Sequence, residues 1–325
     1  MLEPSSISQN AAGNRYAVWG SVVITAILYY LRFGYDVGFS DQDEFLPLVL
    51  QWLDPSLLQQ DWFVQMQAST FTIRSGFAGV VLIISKLTSL QAAVLSIHLL
   101  TGALLALVLV RLANRLYHNN IASLLFVVIV LVLTPRWNPG GNDIFHSMLV
   151  PSSVSWTLSL WSFDFLTRDR LKKAGWLSAL SMAIHPLVGL QLGSIFGASL
   201  LLSGQKRPQR FLLPFLLVAL PSIYFFAEPF SPPAPLSFDA FSTDPAFASS
   251  TSILASIRAP HHYLAHTFPI LSWFKWLSIL GVGGIVIWRD KIFYSSGMMR
   301  DAVVKIAAIC LGVIGIGGVF TTIIH

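Results

Sequence analysis

Long apolar stretches alternate with short basic turns along this chain, and that alternation limits its fold more than any single motif. Apolar runs fall at 16–33, 90–112, 120–134, 151–167, 174–203, 211–228, 268–288 and 301–323. A helix needs about 20 apolar residues to cross a bilayer, a length most of these runs approach. Only 11% of the residues are charged, against about 25% in soluble domains. So few charges cannot solvate a globule of 325 residues. Disorder and a disulfide scaffold are excluded as well, since the lone Cys310 can form no intrachain bridge. The net charge of +5 is gathered in the turns, so it does not argue for nucleic acid as a partner. The expectation is an all-α polytopic membrane protein, a single integral domain over 1–325 in contact with the lipid bilayer.

Basic residues set the expected orientation, because short cytoplasmic loops collect Lys and Arg. The clusters are Arg111 with Arg115; Arg168, Arg170, Lys172 and Lys173; Lys206, Arg207 and Arg210; and Arg289, Lys291, Arg300 and Lys305. All four lie inside only if 174–203 crosses twice, as a hairpin with His185-Pro186 at its outward tip. A cytoplasmic N-terminus, about nine transmembrane helices and an outward C-terminus follow. Ten of the fifteen acids then face out. The run 16–33 reads as a retained anchor, because no small-x-small cleavage site follows it. The segment 71–87 carries Arg74 and Lys86 at its ends and is expected to lie in the outer interface, since a crossing there would invert every later loop.

The outer loops hold the candidate chemistry. The first, 34–90, carries Asp41, Asp43 and Glu44 just after the first span, ahead of DEFLPLVLQWL, whose apolar spacing predicts a helix on the membrane surface. Carboxylates this close can bind a divalent cation such as Mg or Mn, or take a proton from a hydroxyl. Asp41 and Asp43 are the candidate metal ligands, and Asp43 is the expected base. Acids at a helix start also serve as caps, which is the structural alternative. The second loop, PRWNPGGNDIFH, brings Asn142, Asp143 and His146 outward as secondary candidates, or is an ordinary polar turn. His185 is an imidazole at membrane depth beside a helix-breaking proline, a functional hypothesis unless it merely bonds a freed carbonyl.

The last long outer loop, 229–267, closes on Arg258, His261 and His262. One guanidinium and two imidazoles beside the membrane suit a phosphate or pyrophosphate; a plain turn into the next span is the alternative. A zinc site is disfavoured, although His262 and His266 are spaced to share a helix face. There is no G-x-x-x-x-G-K-[ST], G-x-S-x-G, C-x-x-C or H-E-x-x-H, so nucleotide-driven pumping and zinc proteolysis have no motif to rest on.

The order of these features resembles the GT-C superfamily of polytopic membrane glycosyltransferases. Asp41-Gln42-Asp43-Glu44 sits where that family's acidic motif belongs. SIHLLTGALLALVLVRLANRLY (96–117) is similar to its next span, with an Arg-rich inner turn, and MAIHPLVGL (182–190) resembles its broken helix pair. The resemblance implies transfer of a sugar from a polyprenyl-phosphate donor to an acceptor at the extracytoplasmic face. An acid among Asp41, Asp43 and Glu44 would act as base or metal ligand, and His185, Arg258, His261 and His262 would hold the lipid phosphate. The chain lacks the soluble outer domain many members carry, which reads as a reduced or truncated member. The rival expectations are a carrier or flippase of an anionic lipid, or a membrane assembly protein. No internal repeat of the kind many carriers show is visible.

Overall fold

The computed structural model describes residues 4–38, 41–134, 144–202 and 204–227, with Leu271, Phe274 and Ser278. The loop residues Asn142, Asp143, Arg258, His261 and His262 and the last two apolar runs lie outside the described residues, apart from those three isolated positions. Among the described residues every element is a helix: α1 Pro4–Phe33, α2 Gln42–Leu53, α3 Trp62–Ser69, α4 Ser75–Leu87, α5 Leu90–Tyr117, α6 Asn120–Leu133, α7 Pro151–Leu166, α8 Leu171–Ile184, α9 Pro186–Leu202 and α10 Gln209–Ala227. The chain divides into two compact units. The first comprises Met1–Thr134, Ile144–Ser194 and Arg207–Leu220; the second comprises Pro135–Asp143, Ile195–Lys206 and Pro221–His325.

Local chemistry explains where the helices begin and end. Ser89 accepts from the Ala92 amide to cap α5, Asn119 from Ile121 and Ala122 to cap α6, and Asp61 from Phe63 and Val64 to cap α3. Pro151 opens α7, where its missing N–H costs nothing. Between α8 and α9 the chain breaks because Pro186 drives the preceding residue out of the helical region; His185 is extended, with φ −144 and ψ 96. Within 174–202 the chain therefore forms two helices rather than one.

Two helices are long and apolar enough to cross a membrane, Tyr16–Phe33 within α1 and Leu90–Arg115 within α5. Among the described residues two helices have spanning length, which does not support the expected nine crossings. Ser75–Leu87, Asn120–Val132, Pro186–Leu202 and Gln209–Ser222 are apolar but shorter. With 13 residues, α4 is about 20 Å long, against a hydrocarbon core of about 30 Å, too short for a straight crossing.

Two apolar clusters organise the first unit. One joins α1, α5 and α6 through Val22, Tyr29, Leu105, Val108, Val127 and Leu131, with Phe145. The other packs Phe45, Leu48 and Val49 of α2 on Phe77, Ala78 and Val81 of α4, with Val94, Ile97, Leu149 and Ile184. The α7–α8 seam is different, because hydroxyls fill it. Ser155 and Ser159 hydrogen-bond Ser181 at 2.6 and 2.8 Å, and Ser162 bonds Ser178 at 2.8 Å. All five serines are buried. Meanwhile Leu31, Leu100, Ile121, Leu213 and Leu217 are each at least 60% exposed. A seam of buried hydroxyls thus coexists with two apolar clusters and with large apolar side chains at the surface.

Candidate functional site

The site is assembled around the start of α2. The chain leaves α1 through Gly34 and Gly38, whose positive φ values of 81 and 79 suit glycine. Gln42, fully buried, then ties this segment down: its Oε1 accepts from the Gly38 amide at 2.7 Å, and its Nε2 donates to the Leu149 carbonyl at 3.2 Å. Two further bonds join the same regions. The Asp36 amide donates to the Ser147 carbonyl at 2.7 Å, and the Tyr29 hydroxyl donates to the His146 carbonyl at 2.6 Å. The segments 34–42 and 146–149 are thereby stitched together. Of the second-loop candidates, His146 is the one within the described residues, and it lies beside His98 of α5.

Two of the three candidate acids lie on the face of α2 that packs on α4. Helical spacing sets Asp41 and Glu44 on the side of the buried Phe45 and Leu48, while Asp43 points to the exposed side. Glu44 forms an ion pair with Arg74, which precedes α4. Asp41 and Arg74 both lie within electrostatic reach of His185. Close helix contact makes this possible: a Cβ on Gly76 would sit 2.3 Å from the Ala183 carbonyl oxygen, and one on Gly189 would sit 2.2 Å from Met182 backbone atoms. His185 accepts from the Val188 amide through Nδ1 at 3.3 Å, which caps α9 and directs its other nitrogen away from that bond.

Capping does not account for Asp41. It holds the N-cap position of α2, yet its side chain makes no capping hydrogen bond. Further along the loop Asp54 behaves as a turn residue: its carboxylate accepts from the Ser56 hydroxyl at 2.6 Å and the Ser56 amide at 2.9 Å, which holds its pKa below the ordinary aspartate range. Burial pushes the pKa of Tyr35, in the stitched segment, upward.

A divalent metal fits these residues poorly. Asp41 and Asp43 are two positions apart on a helical start, so they point to different sides, and the described residues contain no group of three or more His, Cys, Asp or Glu able to hold a metal.

Arg74, Gln42 and His98 did not stand out as site residues in the sequence. Arg74 carried a signal, being a cation at the head of an apolar helix. Gln42 gave none, because its role depends on a carbonyl 107 residues away. No protein-family model matches the chain, and no curated protein or solved structure is similar to it.

Proposed function

We propose that the chain is a multi-pass membrane glycosyltransferase that moves a sugar from a polyprenyl-phosphate donor to an acceptor hydroxyl at the extracytoplasmic face. One observation carries the reading: the acids that open α2, Arg74 and His185 of the helix break converge from three segments distant in sequence. Two carboxylates, a guanidinium and an imidazole are the groups that a displacement at a phosphate-bearing sugar carbon needs.

The mechanism is a single displacement. Asp41 takes the proton of the acceptor hydroxyl, whose oxygen bonds to the anomeric carbon. The bond from that carbon to the phosphate oxygen breaks, and the electron pair leaves on the polyprenyl phosphate. Arg74 and His185 offset the leaving charge with charge-assisted donors. Asp41 takes the base role in place of Asp43 because it is half-buried and within electrostatic reach of His185, whereas Asp43 is exposed. Glu44 holds Arg74 in place.

The membrane arrangement in this reading has nine crossings, with the basic turns inside. Its lipid contact is supported by the buried hydroxyls between α7 and α8 and the exposed leucines on α1, α5, α6 and α10, which suit lipid as the solvent. With Cys310 replaced, single cysteines at Ser40, Gly141 and Ser249 label from outside and one at Gln205 does not. Outside labelling at Gln205 overturns the orientation.

The activity test is incubation of the purified chain with a panel of polyprenyl-phosphate sugars, following release of lipid phosphate. Asp41→Asn is expected to lower turnover about 10²–10⁴-fold, the range for a general base, while Asp43→Asn loses far less. Unchanged turnover in Asp41→Asn, or no turnover with any donor, defeats the reading and favours a carrier or assembly protein.

A further inference from the structure

A second charged centre lies at the opposite end of the helices from α2, where α5 and α7 finish and α8 begins. Asp164 of α7 is completely buried and is surrounded by three arginines. Arg111 donates to its Oδ2 at 3.1 Å, and Arg168 donates to its Oδ1 through Nε at 3.2 Å and Nη2 at 2.9 Å. Arg115 stands 4.0 Å from Oδ1, bonds the Asp164 carbonyl at 3.4 Å and the Thr167 carbonyl at 2.9 Å, and also donates to the Thr167 hydroxyl.

One carboxylate neutralises one of these cations. Asp169 and Arg170 follow in the turn and Lys172 and Lys173 open α8, so these segments carry six cations and two carboxylates. About 30% of each arginine side chain reaches the surface. The Nε–H of Arg111, itself buried, has no acceptor among the described residues, and its guanidinium stacks 5.0 Å from the Trp161 ring. The helices that begin a few residues after Arg115 and Arg168 carry exposed apolar side chains. Ile121 and Leu125 in the first turns of α6 are 71% and 56% exposed, and Trp176 and Leu180 of α8 are both 48% exposed.

We propose that this end of α5, α7 and α8 binds the phosphate of an anionic phospholipid, with the acyl chains lying along α6 and α8. Three planar guanidinium groups held by one buried carboxylate present fixed donor forks, which suit a phosphate better than mobile lysines do. Asp164 keeps the forks oriented and leaves surplus positive charge for the ligand. The adjacent leucine, isoleucine and tryptophan surface selects a lipid phosphate over a free one. The proposal shares the membrane placement of the reading above and none of its sugar chemistry, so loss of lipid selectivity would leave donor turnover as a separate question.

The test is titration of the detergent-solubilised full chain with phosphatidylglycerol, phosphatidylcholine and inorganic phosphate, counting bound lipid by native mass spectrometry. Phosphatidylglycerol is expected to bind about tenfold more tightly than phosphatidylcholine, because both carry the phosphate but the choline cation is repelled by the surplus positive charge, and raised salt should narrow that gap. Arg168→Gln should remove most of the selectivity. Should that variant not fold, the double variant Lys172→Gln with Lys173→Gln alters exposed cations at the start of α8 and should also reduce it. Equal affinity for the two lipids, selectivity unchanged in the folded variants, or displacement of phosphatidylglycerol by equimolar inorganic phosphate overturns the proposal.

Discussion

Gly76→Ala tests the geometry on which the candidate site depends. Gly76 lies two residues after Arg74, and its neighbour across the helix contact, Ala183, lies two residues before His185. An added Cβ would meet the Ala183 carbonyl oxygen at 2.3 Å, where ordinary contact begins at 3.4 Å. That oxygen belongs to backbone inside α8, so it cannot rotate away. The α4 helix must withdraw by about 1 Å, at an overpacking cost of about 1–3 kcal/mol. The substitution also gains up to about 1 kcal/mol of helix propensity, which would blur a single measurement. Gly79 supplies the control, because it lies one turn along the same helix and a Cβ there meets nothing within 4 Å. The propensity gain cancels between the two variants. Gly76→Ala should therefore be less stable than Gly79→Ala by about 1–3 kcal/mol, measured by reversible denaturant unfolding in micelles. Lipid-phosphate release by Gly76→Ala should fall as well, since Arg74 is carried away from His185. If the two variants agree within about 0.5 kcal/mol, the spread expected of substitutions that touch nothing, α4 does not rest on Ala183 and the convergence of Arg74 with His185 fails with it.

Removing Asp164 as Asp164→Ala should cost about 3 kcal/mol, the low end for breaking a buried ion pair, because its arginines reach solvent; a melting temperature within error of the native chain would refute that. Ser181→Ala, which loses hydroxyl bonds to Ser155 and Ser159, should destabilise by about 1 kcal/mol at the modest value of hydroxyl bonds in lipid, read from the same unfolding assay. Ser89→Ala removes the α5 cap and should cost about 1 kcal/mol, with faster amide exchange confined to the first turn of α5. Asp54 has its pKa depressed in the folded chain, so the stability it contributes is full above the unfolded pKa and is lost as pH falls through the lower folded one. A carboxyl-resolved NMR titration should show that depression shrinking in Ser56→Ala; an unchanged titration would assign it to another cause.

The sequence by itself determined the helices and several of their limits. Apolar runs marked α1, α5, α6, α7 and α10, and His185-Pro186 announced the break between α8 and α9. These signals are local: a proline ring acts on residues within one turn of itself. The acidic start of α2 was legible for the same reason. Which acid faces the rest of the site was not, because that depends on the angle at which α2 docks on α4 through Phe45 and Phe77.

Only the tertiary structure decided the pairing of Glu44 with Arg74, the burial of Gln42 under Leu149, and the gathering of Arg111, Arg115 and Arg168 on Asp164. A lone acid inside an apolar run already marks a site of interest, and Arg168 lies four residues from Asp164, so half of that cluster was within reach of the sequence. The arginines of α5 were not, since they stand about fifty positions away and carry only a topological signal as basic residues of a turn. Apolar runs specify that helices form and where they stop. Which helix packs on which is settled by small residues and hydroxyls at close contacts, such as Gly76 on Ala183 and Ser155 on Ser181, where a missing Cβ or a single hydrogen bond selects one neighbour over another.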